Sequence, residues 1–271
     1  MTKLEYTFKN DILVKLLFAV KFPDLLKRLV AHLLGIAFGS IEQFEVTNTD
    51  MPPEVIGKKF CRLDIHMKVN GQEVNLEVQV DDEKDFAERA LYYWARIFSN
   101  ALPVSGKYRD LPRTIVISIV NFKLFPCVEF HSEYQSLEVT RHTPLTDKKA
   151  LHFYELPKLP KDIDRHDLSL LWLALFNANT EEELAQIEAL GVPELNQAIS
   201  AYHSVTASSE FRELERLRVK AQHDEAQALH HAAEVEREKW QGVVADKDAV
   251  IVGKDSRIAE LEAKLAKYEN G

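Results

Sequence analysis

The stretch FCRLDIHMKVNGQEVNLEVQV, residues 60–80, decides the fold, because apolar and polar residues alternate on both sides of Asn70-Gly71. Strict alternation is typical of a β-strand with one buried face, and Asn-Gly between two such runs indicates a two-residue hairpin turn. The sequence therefore predicts strands over 60–69 and 72–80. In this register Val69 faces Gln72 and, further along the strands, Asp64 faces Glu77.

Helical and strand patterns surround this hairpin. The predicted elements are a helix capped by Asn10 or Asp11, a helix from Pro23 to a stop at Gly35, a short strand near 41–47, the hairpin, a helix at 85–102 and a buried strand at 114–120. An order of helix, three-stranded meander, helix and strand predicts an α/β fold.

The C-terminal half changes character twice. Short strands are expected at 133–139 and 152–156, before a Pro- and Asp-rich boundary and a helical region over 168–202. From Glu210 onward long charged residues dominate, and a heptad frame places Ile251, Ile258 and Leu265 at a positions. We therefore predict three segments: residues 1–160 as an α/β domain, 161–207 as a helical extension and 208–271 as a coiled-coil tail.

Composition excludes several classes of protein. The chain has 271 residues, of which 46% are hydrophobic, so it is long and apolar enough to build a core. No apolar run approaches the roughly 18 residues of a membrane span. Two cysteines are too few for a disulfide framework or a zinc quartet. We expect a cytoplasmic protein with no membrane segment.

Charge is unevenly distributed along the chain. Residues 1–161 carry 22 Lys/Arg against 21 Asp/Glu, whereas residues 162–271 carry 12 against 22. The net charge of −9 therefore belongs to the C-terminal part. A near-neutral N-terminal domain can bind DNA through a local basic patch, and such binding would be modest and sensitive to salt.

The polar face of the hairpin carries the candidate chemistry, and two interpretations of it stay open. Directly opposed carboxylates at Asp64 and Glu77, with Cβ atoms about 5 Å apart, repel each other unless a cation offsets the repulsion. Mg²⁺ prefers such oxygen ligands together with water and substrate phosphate. Alternatively the face is simply polar, with Lys68 and Glu73 as an ordinary pair. On this face we expect His66 to bond to Asn75 rather than to act as a base.

Four segments resemble a known family. Residues 11–15 (DILVK), 60–65 (FCRLDI), 74–79 (VNLEVQ) and 89–96 (RALYYWAR) look like the recombination-promoting nucleases, also called transposase-like, of the PD-(D/E)XK superfamily. The resemblance covers roughly residues 4–160. It implies a restriction-endonuclease-like core with the element order predicted above, followed here by the helical region and the tail.

The resemblance also implies a site. Asp64 and Glu77 would bind Mg²⁺, with Mn²⁺ as a substitute and the backbone carbonyl of Val78 as a further ligand, and Asp11 would orient a water molecule. Gln79 stands where the superfamily pattern has Lys, and an amide supplies no positive charge. Lys15, about one helical turn after Asp11, is a candidate to supply the positive charge that Gln79 lacks.

Arg89 and Arg96 lie seven residues apart on one helical face, which suits phosphate contacts or a merely solvated surface. Lys15 joins them as a candidate DNA-binding residue. The resemblance implies a Mg²⁺-dependent DNA endonuclease linked to recombination or mobile elements. The heptads of the tail predict a homodimer or higher oligomer. The alternative is a nuclease fold retained for nucleic-acid binding or coiled-coil assembly, which Gln79 and the weak basic balance favour.

Overall fold

A computed structural model describes residues 2–47, 50–51, 61–62, 65–82 and 84–269. The chain divides into two compact units, Met1–Arg212 and Glu213–Gly271. The first unit contains a mixed sheet with helices on both faces, and the second belongs to one long helix. Within the described residues, no helix is both long and apolar enough to cross a membrane.

The described strands are β1 (Phe44–Val46), β2 (Asp50–Met51), β3 (Cys61–Arg62), β4 (Ile65–Val69), β5 (Gln72–Gln79), β6 (Thr114–Val120), β7 (His131–Leu137) and β8 (Pro144–Glu155). Six of them form one sheet in the order β1-β4-β5-β6-β8-β7, and a separate two-stranded sheet pairs β2 with β3. β5 and β6 pair in parallel, as do β6 and β8, whereas the other neighbours are antiparallel. β5 therefore lies inside the sheet with a partner on each side.

The predicted hairpin is confirmed in the described residues. Val69 pairs with Gln72 and Ile65 with Leu76, the register expected for a two-residue turn. Asn70 and Gly71 both have positive φ, 49° and 74°, as the turn requires. The Asn70 side chain also accepts hydrogen bonds from the backbone N–H groups of residues 42 and 43 and donates to the carbonyl oxygen of residue 40. The turn is therefore tied to the loop that precedes β1.

Two helical segments open the chain as expected. The first, α1, spans Asp11–Val14 and continues as a π-helical segment, Lys15–Lys21. Asn10 caps α1, its side chain accepting a hydrogen bond of 2.9 Å from the backbone N–H of residue 13. The second, α2, spans Pro23–Leu33 and is followed by Gly35 at φ 65°. Proline at the first position and glycine past the end are the start and stop signals read from the sequence.

Three further helices complete the layer on this side of the sheet: α4 (Leu168–Asn177), α5 (Glu181–Glu188) and α6 (Pro193–Ala207). Their apolar faces join α1 and α2 on the buried side chains of the hairpin in one core, to which Phe8, Leu76 and Trp172 all belong. A second, smaller core lies on the opposite face, where the helix α3 (Phe86–Asn100) covers β6 and β8. The sheet is thus covered on both sides.

Burial on both sides explains the composition of β6, whose seven residues are all buried, as predicted. It also changes the picture of the polar hairpin face. Glu73, Asn75 and Glu77 are only 8%, 0% and 6% exposed. The β5 part of this face is therefore a buried polar surface, whereas the side chain of Lys68 on β4 is about half exposed.

The C-terminal strands differ from the predicted ranges. β7 begins at His131 and β8 begins at Pro144, eight residues before the predicted start at 152. β8 extends because it pairs with β6 on one side and β7 on the other, and this pairing recruits polar residues such as Lys149. The helix α7, Ser209–Glu269, runs for 61 residues through Gly242 and Gly253. Its pairing with a second helix stays a prediction.

The Asn70 turn provides a test of the hairpin. Asn70→Gly preserves the positive φ but removes the three side-chain hydrogen bonds, so we expect urea unfolding to show a loss of about 1–2 kcal/mol. Asn70→Asp, which retains the accepting oxygen, should lose less. A glycine variant as stable as the wild type would show that the loop does not depend on this side chain.

Candidate active site

The candidate site lies at the end of β5, where the buried polar face meets the first turn of α3. Glu77 points from β5 toward this turn, and its side chain is 7% exposed. Arg89, from the first turn of α3, places Nη2 3.3 Å from Glu77 Oε1. A carboxylate withdrawn from water in this way needs a cation or hydrogen-bond donors close by. Arg89 supplies such a cation.

Gln79 lies two residues further along the same strand face. Its Oε1 accepts a hydrogen bond of 2.7 Å from Arg89 Nη2, and its Nε2 donates to the carbonyl oxygen of Asp81 at 2.9 Å. One guanidinium nitrogen therefore contacts both Glu77 and Gln79. The guanidinium carbon also lies 4.8 Å from the centre of the Phe86 ring, which holds the arginine over the start of α3.

Ser118 is a member of the site that the sequence did not single out. It pairs with Glu77 in the parallel β5–β6 register and is fully buried. Among the described residues, the Ser118 hydroxyl and both amide atoms of Asn75 have no hydrogen-bond partner. The only signal in the sequence was one polar residue in the otherwise apolar run 115–120. Buried polar atoms without protein partners beside a carboxylate suit ordered water and a hard cation.

Glu73 and His66 form a separate contact at the other end of this face. The expected His66–Asn75 bond is wrong: the two residues do pair across the strands, but His66 Nε2 lies 2.9 Å from Glu73 Oε2 and Nδ1 lies 2.9 Å from the Thr47 hydroxyl. Lys68 Nζ is 3.6 Å from Glu73 Oε1, which agrees with the ordinary pair considered above. Burial favours a raised pKa for Glu73, but contacts with His66 and Lys68 outweigh burial and lower that pKa overall.

The remaining predicted residues are placed as follows. Asp64 lies outside the described residues, so its expected pairing with Glu77 stays a prediction. Val78 turns its side chain into the main core. Asp11 is the first residue of α1, and Lys15 begins the π-helical segment. Arg96 is half-buried, and its Nη1 donates to the Tyr92 hydroxyl at 3.4 Å.

The structure thus brings Glu77, Gln79 and Arg89 together. In the described part of the chain, no three His, Cys, Asp or Glu residues form a group that could hold a metal ion. Glu77 provides a single buried carboxylate, so a metal at this point needs ligands from the backbone, from water and from a residue such as Asp64.

Comparison with known proteins identifies a family. The profile of the PD-(D/E)XK nuclease family transposases matches residues 8–232, which includes the sheet, both cores and the start of α7. No curated protein and no solved structure is significantly similar to the chain.

The lowered pKa of Glu73 predicts how stability depends on pH. A carboxyl whose pKa falls below its ordinary value of 4.5 on folding stabilises the fold above that pH, and the contribution is lost as pH falls through the folded-state pKa. Glu73→Gln should therefore lower the free energy of unfolding by about 1–3 kcal/mol at pH 7. The difference from the wild type should shrink well below pH 4.5. Urea unfolding at several pH values, with exposed Glu88→Gln as the control, measures both; an equal difference at all pH values would contradict the expectation.

Proposed function

This chain belongs to the PD-(D/E)XK nuclease family transposases, and from that premise we propose that it is a metal-dependent DNA endonuclease serving recombination or mobile-element movement in the cytoplasm. The observation that supports this most is the buried carboxylate of Glu77 at the end of an interior strand, with Gln79 two residues on. A fold without a catalytic role would gain little from a carboxylate in that position, because burying it costs free energy.

The residues around Glu77 fit a divalent cation, Mg²⁺ with Mn²⁺ as a substitute. Asp64, Glu77 and the backbone carbonyl of Val78 would hold it, since one or two carboxylates completed by water are the ligands that Mg²⁺ prefers. When bound, the ion supplies a water of lowered pKa and stabilises charge on the scissile phosphate. The polar atoms of Asn75 and Ser118, which have no hydrogen-bond partner in the described part of the chain, are suited to hold ordered water.

Other side chains would position the reactants. In this proposal Asp11 orients the attacking water, and Gln79 helps to position the Arg89 guanidinium. Lys15, Arg89 and Arg96 are proposed phosphate contacts along the DNA backbone. The near balance of charge in residues 1–161 means that affinity would come from this local set, so it should fall as salt is raised.

A second candidate function is a nuclease fold kept for nucleic-acid binding or assembly. Two observations favour it: Gln79 stands where a positive charge would help catalysis, and α7 offers a long surface for association. In that case Glu77 and Arg89 would form a structural ion pair with no role in chemistry. Cleavage assays separate the two functions.

For assembly, we propose that α7 pairs with α7 of a second copy. Ile251, Ile258, Leu261 and Leu265 occupy a and d positions, and each is about half exposed or more.

Charges beside this apolar seam favour one orientation of the pair. The e positions are acidic (Asp248, Asp255, Glu262) and the g positions 257 and 264 are basic. In a parallel dimer g faces e of the following heptad, so Arg257 meets Glu262, whereas an antiparallel pair sets acidic e positions against each other. Charge therefore favours a parallel homodimer, which brings two nuclease domains to one DNA.

Nicking of supercoiled plasmid tests the nuclease. With Mg²⁺ the wild type should nick the plasmid, whereas Asp64→Ala and Glu77→Ala should each be slower by about 100-fold or more. Each substitution removes a proposed ligand of the Mg²⁺ ion, whose charge stabilises the transition state. Excess EDTA should abolish nicking in every sample.

Glu88→Ala, which removes an exposed carboxylate from α3, is the matched control and should retain activity. Equal nicking by the wild type and the two site variants would indicate a contaminating nuclease. No nicking by any of them with Mg²⁺ or Mn²⁺, while DNA is still bound, would favour the binding module.

Sedimentation equilibrium tests the assembly. The full chain should sediment as a dimer, and the double substitution Ile258→Glu with Leu261→Glu should make it monomeric, because four carboxylates would lie in the shared seam. Ser256→Glu, on the opposite side of the helix, should leave the dimer intact. A wild-type monomer at micromolar concentration would contradict the proposal, as would a double variant that stays dimeric.

A further inference from the structure

Gln79 lacks the positive charge that phosphodiester cleavage uses, but the structure places the guanidinium of Arg89 next to it. Arg89 Nη2 lies 2.7 Å from Gln79 Oε1 and 3.3 Å from Glu77 Oε1. Resting on the proposed nuclease function, we propose that Arg89, docked on Gln79, is the residue that binds the scissile phosphate. We further infer that Arg89 neutralises Glu77 when no metal is present.

The amide of Gln79 is oriented by partners at both ends. Oε1 faces a guanidinium, which can only donate, and Nε2 faces the Asp81 carbonyl oxygen, which can only accept. Turning the amide over would set donor against donor and acceptor against acceptor. Gln79 therefore serves as an acceptor that holds Arg89. A lysine at position 79 would place an ammonium against the guanidinium, so glutamine at 79 and arginine at 89 form a matched pair.

The position of Arg89 on α3 suits a phosphate ligand. Its side chain is 20% exposed, so the guanidinium is partly buried yet still open to solvent on one side. The stack on Phe86 and the bond to Gln79 limit its rotamers, which lowers the entropy lost on binding. A guanidinium has five donors in a planar fork, so a hydrogen bond to Gln79 and a contact with a phosphate can use different N–H groups.

The contact with Glu77 gives Arg89 a second role. Without a cation at the site, a carboxylate 7% exposed would be costly unless it were neutralised. With a divalent cation held at Glu77, Arg89 would no longer be needed to neutralise this carboxylate and would be repelled from it. Arg89 then leaves Glu77 and donates to the substrate phosphate, while its hydrogen bond to Gln79 is kept. Arg89 and the metal thus compete for Glu77, and this competition separates the proposal from a purely structural ion pair.

Mg²⁺ binding by the full-length protein without DNA, measured by calorimetry, tests that competition. Arg89→Met should tighten Mg²⁺ binding by about tenfold, because it removes a positive charge beside the ligand. The same variant should nick plasmid about 100-fold or more slowly. Arg141→Met, which removes an exposed arginine from the β7–β8 hairpin, should change neither value. A structural Arg89 would give the opposite shift, since losing it would disorder the site and weaken Mg²⁺ binding.

A charge exchange provides the second readout. Gln79→Lys alone sets two cations together and Arg89→Gln alone removes the charge, so each should be slower by about 100-fold or more. The double variant carries one cation and one amide in exchanged positions and should recover nicking to within about tenfold of the wild type.

A double variant no faster than either single variant, together with weaker Mg²⁺ binding by Arg89→Met, would overturn the role of Arg89. Failure of the wild type to nick would overturn the nuclease itself. The two failures are therefore distinguishable.

Discussion

The buried carboxylate of Glu77 is the constraint on which the rest of the site depends. Glu77 lies on an interior strand next to the start of α3, and it is 6% exposed. A charge so buried is stable only beside a counter-charge or a metal. Arg89 provides the counter-charge, and Gln79 fixes Arg89. The three side chains therefore form one unit, in which the state of each depends on the other two.

The fold brings this unit together by ordinary means. The Asn70-Gly71 turn sets the β4–β5 register, and one residue of slip would turn Glu77 into the apolar core. The parallel pairing of β5 with β6 requires a crossover, and α3 provides it. Trp94 then ties α3 to β6, its indole Nε1 donating to the Thr114 carbonyl oxygen at 3.1 Å. The first turn of the crossover helix is thereby placed at the end of β5, where Arg89 contacts Glu77 and Gln79.

Much of this could be predicted from the sequence, because the signals were local. Asn-Gly turns, alternation and capping residues act over a few positions, so the hairpin, α1, α2 and α3 were all expected. The burial of Asn75 and the partner of His66 were not, since both depend on which strands flank β5. The Arg89–Gln79 bond depends on how α3 docks, so the spacing indicated only a helix face suited to phosphate contacts or to solvent. The extension of β8 arises from pairing on both edges, which no local pattern records.

A crystal structure of the full chain grown with Mn²⁺, with anomalous data collected at the manganese edge, tests the central claim most directly. We predict an anomalous peak bonded to a Glu77 carboxylate oxygen, with Asp64 on the same ion and Arg89 still hydrogen-bonded to Gln79 but withdrawn from Glu77. A site saturated in solution that shows no peak at Glu77, with the Arg89–Glu77 contact unchanged, would contradict the claim that this carboxylate is a metal ligand.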